Sequence, residues 1–423
     1  MIAAVTADAA AAVEDAYRRE WVQVLAATVR VTGDLDVAEE CVQEAFVAAL
    51  ESWSVQGVPT NPGAWLTTSA KRKAIDQLRR ASTLRGKLPL LIEPEVVAGP
   101  DAIEEAGVIA DDRLRLVFTC CHPALSFETQ VALTLRLVCG LPTDDIARTF
   151  LVSESTMAAR ITRGKKKIRM ASIPIQMPQP QDVAARLDVV LTVIDLFFTA
   201  GHTASSGDAL LDREVCVRAI ELARLLHSLA PNNAEVAGLL AVVLLTDSRR
   251  DTRVDENGEL TLLADQDRTR WDADEITEGR ELALWAVVSP SAGRFALRAG
   301  IAAEHARGAS EPDTDWDAIV ALYDRLLADW STPVIALNRA VAVAMRQGPA
   351  AGLAELDQVA SDPALKGYHY VPAARADLLR RLERRPEAAE EYRRALTMVG
   401  NDVERRFLQR RLEQVTRSEA SGN

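Results

Sequence analysis

The sequence predicts an all-α fold, with two small helical domains followed by a longer C-terminal array of helical hairpins. No stretch shows the period-two alternation of apolar and polar residues that marks a half-buried strand. In many segments apolar residues instead recur every three or four positions, which is the spacing of one face of a helix. Proline-containing stretches interrupt these segments and suggest the domain boundaries.

Composition divides the chain into five parts. They are a first domain, a flexible linker, a second domain, a spacer and a helical array, over residues 10–88, 89–110, 111–171, 172–182 and 183–423 respectively. The linker contains Pro94 and Pro100 among acidic residues. The spacer contains Pro174, Pro178 and Pro180, and X-Pro steps favour an extended backbone.

The first domain contains an acidic amphipathic helix, predicted over residues 34–53. Its apolar face consists of Leu35, Ala38, Val42, Ala45, Phe46, Ala49, Leu50 and Trp53. Its polar face consists of Asp36, Glu39, Glu40, Gln43 and Glu44. An acidic face beside exposed apolar groups is suited to a basic protein partner.

A basic helix follows over residues 65–87, with seven Lys or Arg residues and Asp76 as its single acid. The predicted buried stripe consists of Trp65, Leu66, Ile75 and Leu78. The cations left for solvent or for phosphate are Lys71, Arg72, Lys73, Arg79 and Arg80. The pattern indicates a nucleic-acid surface next to the acidic helix.

The second domain ends in a predicted helix-turn-helix over residues 141–169. The first helix is expected from Thr143 to Phe150, with Thr143 as its N-cap. Ser153 or Ser155 caps the second helix. On that helix Met157 and Ile161 share one face, and Arg160, Arg163 and Lys167 occupy others.

The second helix ends in a cationic cluster. Residues 160–169 contain six Lys or Arg and no acid, although the whole chain has 61 Asp and Glu against 49 Lys and Arg. Basic helical faces are often only solvated surface, but the hairpin and its basic tail together favour DNA binding. The C-terminal residues 171–423 carry 39 acids and 29 bases, which argues against DNA contact there.

The C-terminal array is predicted from recurring helical hairpins. In residues 371–399, Ala388, Tyr392 and Ala395 have the spacing that lets paired helices approach closely, and Pro386 starts the second helix. Residues 216–245 and 334–359 are weaker copies. Stacked hairpins form a concave surface that binds a peptide, a domain or a ligand, or they serve as a scaffold.

Other classes of site have little support in the sequence. The five cysteines form no CxxC pair, and Cys120, Cys121 and His122 are interpreted as core thiols beside a loop histidine. Glu304-His305 lacks the HExxH spacing of a zinc site. We therefore expect no catalytic residue, no metal and no cofactor. The N-terminus has no signal-peptide pattern and the longest apolar run contains Glu235, so we expect a cytoplasmic protein without membrane contact.

The order of these features resembles a known family. GDLDVAEECVQEAFVAALESW, NPGAWLTTSAKRKAIDQLRR and the helix-turn-helix together are similar to bacterial RNA polymerase sigma factors of the extracytoplasmic-function class. The resemblance implies a region two bundle, a region four helix-turn-helix, and two partners, core RNA polymerase and promoter DNA. LADQDRTRWD, TDWDAIVALYDRL and LNRAVAVAM resemble the subgroup that has a long tetratricopeptide-like helical extension.

The resemblance also implies roles for particular residues. The acidic helix would bind the β′ subunit of the polymerase through Asp36, Glu39, Gln43 and Phe46. The basic helix would bind the −10 promoter element through Trp65, Lys71, Arg72, Lys73, Arg79 and Arg80, next to Asp76. The helix-turn-helix would touch the β subunit and bind the −35 element through Ser155, Thr156, Arg160, Arg163, Lys165, Lys166 and Lys167.

Three classes of function are compatible with at least part of this pattern. A sigma factor accounts for the acidic helix, both basic segments and the linker between them. An operator-binding regulator with a helical sensor domain accounts only for the helix-turn-helix and the array. A nucleic-acid-modifying enzyme would need clustered carboxylates or a nucleophile beside a base, and the sequence contains no such pattern. The sequence favours a sigma factor whose helical array, with a protein or peptide ligand, modulates its activity.

Overall fold

The computed structural model describes residues 2–85, 105–150, 152–204, 207–308 and 310–420. Across these residues every regular element is helical, and only two isolated β-bridges occur. The predicted all-α fold class is confirmed. The chain forms two compact units, Met1–Val193 and Ile194–Asn423.

The first unit contains eight α-helices in the described residues, of which the first three are long. They are α1 (Ile2–Thr32), α2 (Leu35–Gln56), α3 (Pro62–Arg85), α4 (Glu105–Cys120), α5 (Phe127–Leu137), α6 (Thr143–Thr149), α7 (Glu154–Met170) and α8 (Pro180–His202). Helix α8 begins in this unit and ends in the second. Helices α1, α2 and α3 contact one another and bury Trp21, Trp53 and Leu66.

Local sequence explains where α2 and α7 begin. The Asp34 carboxylate accepts the backbone N–H groups of Asp36 and Val37, and the Ser153 hydroxyl accepts that of Thr156. Ser153, not Ser155, is therefore the cap of α7. At Gly164 a Cβ would lie 2.6 Å from Thr129 Cγ2, so a glycine permits the close approach of α7 to α5.

The second unit contains ten further α-helices in the described residues. They are α9 (Arg213–Leu229), α10 (Ala234–Asp247), α11 (Ala273–Val288), α12 (Arg294–Arg307), α13 (Trp316–Asp329), α14 (Pro333–Gln347), α15 (Pro349–Val359), α16 (Tyr370–Arg381), α17 (Arg385–Leu396) and α18 (Asp402–Ala420). Consecutive helices pack against each other, as α14 does on α15 and α16 on α17. Ala388, Tyr392 and Ala395 are buried at the α16–α17 contact.

Several predicted boundaries differ from the observed helices. Helix α4 begins at Glu105, inside the segment predicted as a linker, and residues 89–104 lie outside the described part. Helix α8 begins at Pro180, inside the predicted spacer, because proline is compatible with the first turn of a helix. Thr143 is the first residue of α6 and not its cap. The division between the units follows Val193, within α8, whereas the predicted array began at residue 183.

The apolar segments of the chain are core helices. The longest apolar run forms α10, which is buried along nearly its whole length. No helix in the described ranges combines the length and hydropathy needed to cross a membrane.

Candidate functional site

Helix α2 presents two different surfaces. Its interior face contains most of the predicted apolar residues, but Leu50 is exposed and Glu39 is buried. The ring of Phe46 lies inside the bundle, 5.2 Å from Tyr17 and 6.1 Å from Trp21 between centroids. Phe46 therefore stabilises the core in this conformation and does not reach the surface.

The outer face of α2 forms an open acidic groove, which we call the α2 groove. Its volume is about 400 Å³, and it is lined by Glu40, Gln43, Glu44, Val47, Ala48, Glu51 and Lys73. Val47, an apolar residue of this lining, is 56% exposed. Lys73 Nζ of α3 donates to Glu44 Oε2 at 3.2 Å, and Gln77 Nε2 donates to Glu40 Oε2 at 3.2 Å. The groove thus combines carboxylates with exposed apolar surface.

The N-terminal end of α2 is in contact with α7 and α5. We call this contact the α2–α7 ion-pair cluster. Glu39 forms ion pairs with Lys165 of α7 and, at 3.4 Å, with Arg136 of α5. Lys165 also lies 3.5 Å from Asp36. Arg169 lies 3.4 Å from Asp34 and 3.3 Å from Asp36.

The centre of this cluster is shielded from water and its edge is not. The side chains of Glu39 and Lys165 are 11% and 12% exposed, whereas that of Arg169 is 53% exposed. Solvent and salt weaken an exposed pair much more than a shielded one. The cluster places two residues predicted to bind polymerase, Asp36 and Glu39, against Lys165, a residue predicted to bind DNA.

Helix α3 buries a different stripe from the predicted one. Leu66, Ala70 and Ala74 are fully buried, whereas Ile75 and Leu78 are 41% and 40% exposed. Small alanines allow α3 to approach its neighbours closely, and the larger side chains remain outside. The outward face of α3 therefore carries apolar groups between its cations.

The predicted −10 residues lie along that helix with different exposure. Trp65 is half-buried because its ring packs edge-on against Trp53, with 5.7 Å between centroids. Arg72, Arg79 and Arg80 are exposed, and Lys71 and Lys73 are partly buried. Asp76 is also exposed.

Most of the predicted −35 residues lie on the exposed side of α7. Ser155, Thr156, Arg163, Lys166 and Lys167 are exposed, while Met157 and Ile161 are buried as predicted. The Ser153 hydroxyl lies 3.1 Å from that of Ser155 and 2.8 Å from that of Thr156. These contacts hold the first turn of α7 in a fixed arrangement. Leu151 lies outside the described residues.

Two cations of α7 depart from this exposed pattern. The Arg160 guanidinium lies over the Phe150 ring, 5.6 Å from its centroid, and is half-buried. Lys165 lies in the α2–α7 ion-pair cluster. The sequence could not predict the second contact, because its partner lies 126 residues away.

The cysteines behave as core thiols. All five are buried and free, and burial raises the pKa of Cys121 and Cys216 to about 12, so both stay protonated. The described residues contain no group of three or more His, Cys, Asp or Glu placed to hold a metal ion.

Three segments of the chain match known families. Residues 16–83 match Sigma-70 region 2, and residues 115–168 match Sigma-70, region 4. Residues 186–287 match a family of unknown function, DUF6596. No solved structure matches.

Several known proteins are similar in sequence to this chain over these segments. An uncharacterized protein of Rhizobium meliloti is 38% identical over 406 residues, covering 94% of this chain and 95% of the relative. The probable ECF RNA polymerase sigma factor SigI of Mycobacterium tuberculosis is 28% identical, covering 43% of this chain and 67% of the relative. The ECF RNA polymerase sigma factor SigJ of the same organism is 29% identical, covering 41% of this chain and 56% of the relative.

The matches separate the remaining hypotheses. An operator-binding regulator has no need of region two, and this chain has regions two and four in the order of a sigma factor. Sigma factors direct a polymerase and catalyse no reaction themselves, so the chain is not an enzyme. Its two surfaces of opposite charge, its two sigma regions and its relatives agree: this chain belongs to the extracytoplasmic-function class of RNA polymerase sigma factors and carries a helical C-terminal extension.

Proposed function

We propose that this sigma factor docks on the β′ subunit of core RNA polymerase through the α2 groove, while α3 and α7 bind the −10 and −35 promoter elements. The observation that carries the proposal is the juxtaposition of the acidic α2 groove with a basic outward face on α3. Surfaces of opposite sign on adjacent helices can bind a basic protein helix and DNA phosphate at the same time.

The polymerase contact is proposed for the exposed part of α2. Gln43 keeps its predicted role, and Glu40, Glu44, Val47 and Glu51 join it because they line the same groove. Phe46 acts indirectly, since it fixes α2 on the bundle from inside. Carboxylates beside exposed apolar surface are suited to a basic protein partner.

The −10 contact is proposed for the outward face of α3. Arg72, Arg79 and Arg80 are exposed and can neutralise phosphates. Ile75 and Leu78 lie among these cations with large exposed apolar groups. Such groups support binding of bases that have left the stack, because an unstacked base exposes an apolar ring face.

The −35 contact is proposed for the exposed side of α7. Ser155 and Thr156 lie in its first turn, the part of a recognition helix that reaches base edges in the major groove. Arg163, Lys166 and Lys167 would bind phosphates or bases beyond that turn. Contact with the β subunit remains a prediction from the family resemblance.

The α2–α7 ion-pair cluster has to open for the complete predicted sites to form. Asp36 and Glu39 cannot bind polymerase while Lys165 and Arg169 neutralise them. Lys165 likewise cannot bind DNA while it is held by Glu39. We propose that the free factor has this closed arrangement and that polymerase and DNA replace the internal ion pairs by external ones.

The C-terminal extension is proposed to modulate transcription, with a protein or peptide as its ligand and the cytoplasm as its place of action. The excess of acids in residues 171–423 supports a role other than DNA contact. Removal of residues 194–423 should change transcript yield with core polymerase, with circular dichroism used to verify that the shortened chain is folded. An unchanged yield from a folded chain would contradict modulation.

Co-purification with core polymerase tests the docking surface. Reversal of Glu40, Glu44 and Glu51 to Lys should abolish capture of the core enzyme, because a basic partner would be repelled. Reversal of Glu14, an exposed acid on α1, serves as the control and should leave capture unchanged. Full capture by the triple variant would contradict docking at the α2 groove.

A further inference from the structure

The second unit contains a cavity of about 370 Å³, lined by residues of the segment 262–268 and of α12, α13 and α14. This volume falls within the ~300–1,000 Å³ of small-molecule sites in proteins. The cavity lies outside both sigma regions, which occupy residues 16–83 and 115–168. Nothing in the role of a sigma factor accounts for it.

The walls of the cavity are mainly apolar. Trp316, Ile319 and Tyr323 line it from α13, and Val341 and Met345 line it from α14. A molecule with a flat or chain-like apolar body would lose water contact on entering and would gain contact with two aromatic rings.

Two polar groups in the lining lack a partner within the described residues. Thr314 is 7% exposed, and its hydroxyl makes no hydrogen bond to the described residues. Nδ1 of His305 is buried and also makes none, while its ring contacts Trp316 edge-on at 5.4 Å between centroids. Buried polar groups are nearly always hydrogen-bonded to protein, water or ligand, so the Thr314 hydroxyl is available to a polar group that enters the cavity.

The charged group in the lining of the cavity is a cation. Arg268 lines the cavity, and no carboxylate does so among the described residues. Its guanidinium is held by the backbone carbonyls of His305 at 2.9 Å and Gly308 at 2.7 Å, and it lies over the Trp271 ring. Burial, together with the positive charges of Arg249 and Arg268, lowers the pKa of His305 to about 4. The imidazole is therefore neutral at pH 7, which leaves Arg268 as the charged side chain of the lining among the described residues.

We propose that this cavity binds a small amphipathic molecule with an apolar body and one anionic head. The body lies between Trp316, Tyr323 and Met345. The head lies at the end that contains Thr314 and Arg268, where the Thr314 hydroxyl donates to it. A cationic head would meet the Arg268 guanidinium and no lining carboxylate among the described residues, so charge disfavours it.

Three probes with one chain length test both parts of the proposal. Decanoate, decanol and decylamine are titrated into the full-length protein by isothermal calorimetry below their micelle concentrations. We expect saturable binding in the order decanoate, decanol, decylamine, with decanoate at least tenfold tighter than decylamine. Equal binding of decylamine and decanoate, or no saturable binding of decanoate, would overturn the proposal.

A matched pair of variants tests the location. Val334 and Val341 lie two turns apart on α14 and are 39% and 38% exposed, but only Val341 lines the cavity. Val341→Trp should fill part of the cavity and weaken decanoate binding more than tenfold. Val334→Trp should leave it unchanged. Equal affinity of the two variants would place binding elsewhere and overturn the proposal.

A third variant, Thr314→Val, tests the contact with the anionic head without filling the cavity. Thr314→Val keeps the shape and removes the hydroxyl, so decanoate should bind about three- to tenfold more weakly, the worth of one hydrogen bond. The melting temperature without ligand should not fall, because the hydroxyl has no partner within the described residues. Unchanged decanoate affinity in a folded Thr314→Val protein would overturn the assignment of Thr314.

Discussion

At the scale of single residues, the helix face on which Glu39 lies could be predicted from the sequence, but its burial could not. Helical periodicity places the Glu39 carboxylate on the polar face of α2. The whole residue is nevertheless only 9% exposed, because Lys165 and Arg136 cover its side chain. Periodicity reports the direction of a side chain on its own helix, and it carries no information about a partner 126 residues away.

Glu39→Gln should lower the free energy of unfolding by about 1–3 kcal/mol, because it leaves two shielded cations without their carboxylate. Urea denaturation monitored by circular dichroism measures this change. Glu40→Gln is the matched control, since Glu40 is exposed and Gln77 donates to it from α3, and it should change stability by less than about 0.5 kcal/mol. Equal effects of the two substitutions would contradict the shielding of Glu39.

At the scale of elements, the helices themselves were more predictable than their packing. Caps and apolar spacing located α2 and α7 to within a few residues, since both signals are local. The buried stripe of α3 was predicted only in part: Leu66 is buried as predicted, but Ile75 and Leu78 are exposed, because alanine fits both the buried and the exposed face of a helix and gives no clear signal. Ala70 and Ala74 carry no hydrophobic signal as strong as that of Ile75 and Leu78, yet they form the contact.

Lys165→Glu should loosen α7 from α2, because it places a carboxylate beside Asp36 and Glu39. Amide hydrogen exchange in the first turns of α2 and along α7 should become faster. The charge swap Glu39→Lys with Lys165→Glu should slow it again in part, because it restores one ion pair but sets the new lysine beside Arg136 and the new glutamate beside Asp36. Lys167→Glu, at an exposed position of the same helix, should have little effect. If the swap exchanged as fast as the single Lys165→Glu variant, direct pairing would be contradicted.

At the scale of the whole molecule, acid should weaken the second unit. His202 is 7% exposed and stacks on Phe198, and burial lowers its pKa to about 2, with a contribution from Arg253. The unfolded chain binds a proton near pH 6.5 whereas the folded chain does not. The stability from a neutral His202 is therefore present above that pH and is lost as pH falls below it, by up to about 1.4 kcal/mol per pH unit.

The free energy of unfolding should thus decrease between pH 7 and pH 5, and His202→Gln should flatten this slope. His227→Gln, at a partly exposed site on α9, provides the matched substitution and should keep the wild-type slope. Urea titrations at several pH values measure both. A slope unaltered by His202→Gln would show that other groups cause the acid sensitivity.

Transcription by a reconstituted holoenzyme tests the central claim, promoter-specific initiation, most directly. Core polymerase is mixed with the full-length chain and fragmented genomic DNA of the source organism, and transcript starts are mapped by sequencing. We predict a defined set of starts that share one upstream motif, and their loss when Arg163, Lys166 and Lys167 are replaced by Ala, with Glu14→Lys as the active control. Starts that are identical with and without the chain, or unaffected by the α7 substitutions, would contradict the account.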